Sequence, residues 1–180
     1  MRERTLRKKN VFRGRLISVE VHDVELESGI RSTREIVRHP GAVAVLARRP
    51  DGRFVFVRQF RKAIEKELLE VVAGTRDRGE SPAKCARREL EEETGYRVIK
   101  IRKLGVIVSA PGFVDEFLHV YFAEVGALPG KHRPDHDEVI KVVLLGRKQM
   151  ENIFRKSVPC DAKTLAALQL YGMGLRKRGS

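Results

Sequence analysis

The spacing of apolar positions predicts a strand-rich first part, one strong helix near the middle of the chain, and a helical end. Residues 11–19 and 21–27 read as short strands, Ser28-Gly29 as a turn, and 34–38 as a continuation of the β pattern. Residues 41–47, GAVAVLA, form a near-continuous apolar run, as expected of a strand covered on both faces. Pro50-Asp51-Gly52 supplies a hairpin turn and 53–60 the returning strand. A further short strand is expected over 67–73, and longer ones over 98–108 and 116–125. In the last of these, Phe117, His119, Tyr121 and Ala123 alternate with Leu118, Val120 and Phe122, so both faces are largely apolar and a central place is expected. An apolar strand over 139–145, a short helix over 146–154 and a longer helix over 161–175 complete the pattern.

The strong helix is announced by its ends. Ser81 can cap the free N–H groups, and Pro82 is tolerated at the first helical position. Residues 83–94 are rich in good helix formers, and Gly95 can close the helix in the left-handed region. Glu89, Glu92 and Glu93 stand at i, i+3 and i+4, on one helical face. Three like charges there repel, and a bound divalent cation would reverse that cost. Ligands that are all oxygen suit Mg²⁺ or Mn²⁺ better than zinc. Arg88 can grip a carboxylate with both arms of its fork, and Glu80 is the candidate partner.

These residues sit in GTRDRGESPAKCARRELEEETGY, residues 74–96. The segment resembles the box of the Nudix hydrolase superfamily, Gly-x5-Glu-x7-Arg-Glu-U-x-Glu-Glu-x-Gly-U with U aliphatic. It matches at every fixed polar and glycine position and departs only at Tyr96, a packing position. Downstream, Ser109-Ala110-Pro111-Gly112-Phe113-Val114-Asp115-Glu116 is similar to a loop of the ADP-ribose pyrophosphatase branch, with Pro111 sixteen positions after Gly95. Arg58-Gln59-Phe60-Arg61, Glu70-Val71-Val72-Ala73-Gly74, His39-Pro40-Gly41-Ala42-Val43 and Asp161-Ala162-Lys163-Thr164-Leu165 also look like that branch. Val72 stands where proline is common.

The resemblance implies a mixed α/β (α+β) fold, an α/β/α sandwich around a mixed β-sheet, over residues 41–180. Residues 1–40 are expected to form an N-terminal β-rich arm that makes a homodimer, since an unpaired edge would otherwise be exposed. It also implies that the Ala73 carbonyl, Glu89 and Glu93 bind the metal, with Glu92 assisting, as two or more Mg²⁺ ions that Mn²⁺ can replace. Glu116, on a mobile loop, would be the base for the attacking water, and Arg88 would order the carboxylates. Arg34 and Arg61 would meet phosphates and terminal ribose, and Phe113 would line the pocket. The implied substrate is ADP-ribose, cut to AMP and ribose 5-phosphate. NADH, other nucleoside diphosphate sugars and dinucleoside polyphosphates are alternatives. A noncatalytic nucleotide- or RNA-binding protein is a reading from a different class.

Composition narrows these readings. At 180 residues the chain is long enough for one cored domain. No apolar run reaches membrane-spanning length, and the basic N-terminus lacks the apolar stretch of a secretory signal. Two cysteines make no disulfide framework, which favours a reducing cytoplasm. Cys85 reads as a small core residue. The net charge of +13 gathers partly at the chain ends, where a solvated tail is expected, so nucleic acid is a weak prospect. The excess would still attract an anionic nucleotide. His119 reads as a hydrogen-bonded core histidine, and Asp135-His136-Asp137-Glu138 as a solvated loop.

Overall fold

The structure is a computed structural model that describes residues 2–131, 139–155 and 159–176. The Asp135–Glu138 segment and His132 lie outside the described residues. The chain forms two compact units, Met1–Gly41 with Val108–Phe117, and Ala42–Ile107 with Leu118–Ser180.

The first unit is built on a three-stranded antiparallel sheet in the order β1 (Glu3–Arg13), β2 (Ser18–Leu26), β3 (Arg31–Arg38). The expected strand over 11–19 is therefore wrong: the chain reverses at its middle, where the Gly14 N–H donates to the Ile17 carbonyl at 2.8 Å. Nor are the N-terminal basic residues a solvated tail. They lie on β1 opposite the acids of β2, with Arg4 on Glu25 at 2.5 Å and Arg7 on Asp23 at 2.7 Å. Cross-strand opposite charges favour the register in which they meet.

The segment that follows Pro111 belongs to the same unit. Val37 N–H donates to the Phe113 carbonyl at 2.7 Å, and Asp115 N–H returns to the Val37 carbonyl at 3.1 Å. Asp115 Oδ2 accepts from Arg38 at 2.8 Å, and its Oδ1 accepts the His39 N–H at 2.8 Å. Arg38 also reaches Glu20, which pairs with the buried His22 at 2.7 Å. The stretch before Glu116, expected to be mobile, is pinned to β3.

The second unit holds the mixed sheet. Its path is β10 (Ile140–Leu145), β5 (Phe54–Arg61), β4 (Ala42–Arg48), β9 (Phe117–Val125), β8 (Val98–Val108), with β6 (Lys66–Glu70) on β5 and β7 (Val72–Thr75) on β4. β4 runs parallel to β9 and antiparallel to β5 and β7. The expected single strand over 67–73 is two strands, broken at Val71 so that each half pairs with a different neighbour. α1 (Pro82–Thr94) covers one face: Cys85, Ala86 and Leu90 pack on Val43, Val45 and Tyr121. Tyr96, at the aliphatic position of the box, is buried in the same cluster, with the Arg49 guanidinium 5.6 Å from its ring centre. α3 (Ala162–Arg176) covers the other face, where Ala167, Leu168 and Tyr171 meet Ala44, Leu46 and Phe122. α2 (Arg147–Glu151) ends in a 3₁₀ turn, Asn152–Arg155. Alternate residues of β4 serve the two helical layers, which is why its run is apolar throughout.

Candidate active site

α1 is set by its ends, as its sequence predicts. Ser81 Oγ accepts the Lys84 N–H at 3.3 Å, Pro82 opens the helix, and Gly95, at φ 72°, closes it on the Glu91 carbonyl. The cap fixes which residues face β7. At Gly74 a Cβ would stand 1.9 Å from Glu89 Cδ, so only glycine lets the Glu89 carboxylate lie against that strand.

Arg88 organises the acids. Its Nε and Nη2 donate to the two oxygens of Glu80 at 3.0 and 2.9 Å, the expected fork. Its Nη1 stands 3.0 Å from Glu92 and 2.8 Å from Glu89. Glu80 is 8% exposed. The Arg88 guanidinium holds its carboxyl at about 2, against the burial that opposes ionisation. Glu93, on the next turn, is 6% exposed. Cys85 is fully buried, and loss of solvation together with the charge of Glu80 and Glu89 pushes its thiol up to about 12. It is a packing residue and not a nucleophile.

Ala73 and Gly74 lie on β7, so the structure brings Glu89 to the strand that carries both. Among the described residues, no three His, Cys, Asp or Glu side chains stand grouped as a ready ion cage. Arg88 occupies Glu89 and Glu92 as they lie.

Arg61, on β5, is committed to Glu70 by two hydrogen bonds of 2.8 and 2.6 Å. Glu70 keeps the guanidinium charged, burial opposes this, and the charge of Glu93 also contributes. Sequence reasoning missed what lies behind Arg61. Glu70 is 1% exposed and also pairs with Lys163 on α3. Thr164 Oγ1 accepts the Val71 N–H at 2.9 Å and donates to Asp161 Oδ2 at 2.8 Å. The signal available was Glu70 itself, a charge at the buried end of the KELLE strand.

The remaining expected residues lie in the first unit. Arg34, on β3, pairs with Glu3 at 2.5 Å and bonds Ser32 Oγ and the Thr33 carbonyl. Phe113 is 57% exposed. Glu116 Oε1 is 3.5 Å from His39 Nδ1, which accepts the Gly41 N–H at 3.1 Å. His119, on β9, differs from expectation: its Nδ1 is buried and has no hydrogen-bond partner among the described residues. Burial, with the nearby charges of Lys103 and Arg76, holds its ring toward the neutral form.

Residues 37–168 match the NUDIX domain. The chain is 42% identical over 170 residues to the ADP-ribose pyrophosphatase of Bacillus subtilis (strain 168), spanning 94% of this chain and 92% of that protein. It is 40% identical to the methanol dehydrogenase activator of Bacillus methanolicus, over 93% and 91% of the two chains. A crystal structure described as an ADP compounds hydrolase matches 99% of this chain and 97% of its own, with TM-score 0.85 and 25% identity.

Proposed function

The chain belongs to the NUDIX family, and on that premise we propose that it hydrolyses the diphosphate bond of ADP-ribose to AMP and ribose 5-phosphate. The observation that carries the bond type is the Glu89 carboxylate seated on Gly74 beside the Arg88 fork. The substrate is supported by likeness to the Bacillus subtilis enzyme over nearly the whole chain.

The residues fit a divalent cation. Their donors are all oxygen, and β7 leaves a side-chain-free place at Gly74. The Ala73 carbonyl, Glu89, Glu92 and Glu93 would hold two or more Mg²⁺ ions, or Mn²⁺ in their place. When bound, the ions neutralise charge developing on the diphosphate oxygens and help activate water. Arg88 keeps Glu80 ionised and Glu92 oriented. Glu116 takes the proton of the attacking water as the phosphorus–oxygen bridge breaks. Arg34 and Arg61 receive the anionic substrate by exchanging their present carboxylate partners, and Phe113 lines its pocket. We place the enzyme in the cytoplasm as a homodimer. Both described cysteines are free, and among the described residues no helix is long and apolar enough to cross a membrane.

A panel of ADP-ribose, NADH, a diadenosine polyphosphate and a GDP-sugar, with Mg²⁺ or Mn²⁺, tests the reading by released nucleotide. ADP-ribose is expected to be cut best. Glu93→Gln and Glu116→Gln are each expected to lower turnover at least about 100-fold, the low end of acid–base contributions. Full activity in both variants would remove the site assignment. Failure of every diphosphate, with tight and salt-sensitive RNA binding, would favour a noncatalytic binder.

A further inference from the structure

A cavity of about 530 Å³ opens beside β8, the last strand of the sheet path, with Arg87 of α1 in its wall. Arg87 precedes Glu89 by two residues, roughly 200° around the helix. The cavity therefore meets α1 on the side turned away from the Glu89 carboxylate.

Its lining is strongly basic. Arg48, Arg87, Lys100 and Arg102 all contribute, against the single carboxylate of Glu124. Glu124 pairs, among the described residues, only with Arg48, at 3.3 Å. Among the described residues, no ion pair involves Arg87, Lys100 or Arg102. Elsewhere the chain neutralises such charge, as along β1 and β2. Here it is left concentrated in a concave place, where low-dielectric walls strengthen its pull on an anion.

Two of these cations are held in place. The guanidinium centres of Arg48 and Arg102 lie 5.5 and 5.1 Å from the centre of the Phe122 ring. Phe122 itself stacks on Tyr171 at 4.7 Å. Side chains fixed in this way lose less freedom on binding a ligand. The guanidinium fork matches the oxygens of a phosphate group. The volume falls in the range that takes a nucleotide-sized molecule. Both aromatic rings are nearly buried, 6% exposed each, so they offer no stacking platform of the kind that single-stranded nucleic acid uses.

We propose that this cavity is a second binding site, specific for a small phosphorylated compound of nucleotide size and separate from the site that cleaves the diphosphate. The proposal does not depend on the identity of the hydrolysed substrate.

Calorimetric titration of the full chain with AMP and with inorganic pyrophosphate, in the presence of a metal chelator, tests it. Wild type is expected to bind at least one of them, more weakly as salt is raised. Arg48→Gln/Arg102→Gln and the exposed single change Lys100→Glu are expected to weaken binding at least about tenfold, the effect of one lost charge-assisted contact. Both are expected to retain ADP-ribose hydrolysis, and thermal melting confirms that they fold. Glu93→Gln is expected to bind as wild type does. Tighter binding of AMP than of pyrophosphate assigns the site to nucleotides, and equal binding assigns it to the phosphate group alone. The proposal falls if neither probe binds at about 1 mM, the weak end of specific recognition. It also falls if the basic-site variants bind unchanged, if Glu93→Gln abolishes binding, or if an RNA oligonucleotide displaces the probe at lower concentration than pyrophosphate does.

Discussion

Gly74 and Glu80, both ahead of α1, control the acids of the site, one by the room it leaves for Glu89 and the other by its pair with Arg88. In Gly74→Ala the new Cβ would stand 1.9 Å from Glu89 Cδ and about as close to its oxygens, so the carboxylate must leave its place on β7. We expect turnover to fall at least about 100-fold and stability by about 1–3 kcal/mol, the usual cost of overpacking. Adding Glu89→Ala should restore the stability but not the turnover, as read by thermal melting and product release. Glu80 makes a pH prediction. Its native carboxyl is held at about 2, below the ordinary 4.5, chiefly by Arg88. A depressed acid favours the folded state above the ordinary value, and that support is lost as pH falls toward about 2. Urea unfolding of wild type and Glu80→Gln should therefore differ by roughly 2 kcal/mol near neutrality, the scale of hydrogen bonds to a charged group. The difference should close on acidification, and a constant difference would detach Glu80 from acid stability. Both residues were legible in the sequence, because glycine at a fixed distance from an acid-rich helix has few other meanings. The pairing of Glu70 with Lys163, and of Val71 with Thr164, was not, because α3 lies 93 residues further along the chain than the partners it meets.

At the scale of elements, α1 could be read to the residue because its signals are local: a Ser cap, Pro at the first position, Gly at the end. The strand breaks could not. Residues 66–75 carry no proline or turn pair, and their division at Val71 is made by tertiary pairing, with β6 on β5 and β7 on β4. Thr164 stabilises that division from α3, since its hydroxyl takes the Val71 N–H that neither strand uses as part of its ladder. Thr164 is fully buried. Thr164→Val keeps the volume and removes the acceptor, leaving a buried N–H unpaired. Denaturant unfolding should show a loss of about 1–3 kcal/mol. Because Ala73 and Gly74 lie directly after the break, turnover is expected to fall as well, while substitution of exposed Lys66 leaves both unchanged. An intact stability in Thr164→Val would show that the break is held by strand pairing alone.

For the whole molecule, the proposed homodimer makes a prediction about the N-terminal strand. β1 lies at the edge of its three-stranded sheet and is exposed along all eleven residues. Leu6, Val11 and Phe12 on it, with Leu16 in the following turn, are each at least 40% exposed. A long edge carrying apolar side chains is a template for pairing with another chain. Arg4 and Arg7 are paired to acids of β2 within the same sheet, so of the strand's cations it is Lys8, Lys9 and Arg13 that a pairing chain would have to accommodate. The proposed homodimer would cover this edge, and a stable one buries on the order of 1,200–2,000 Å². Light scattering should then give twice the chain mass at concentrations well above those used in assays. Leu6→Glu/Phe12→Glu, which places like charges on both copies, should halve that mass while the circular dichroism of the sheet is retained. If the wild-type chain scatters as a monomer, the edge must be protected in another way and the dimer is rejected. If the variant stays dimeric, a different surface joins the two copies. Activity measured on the separated chains then shows whether a residue from one copy completes the site of the other.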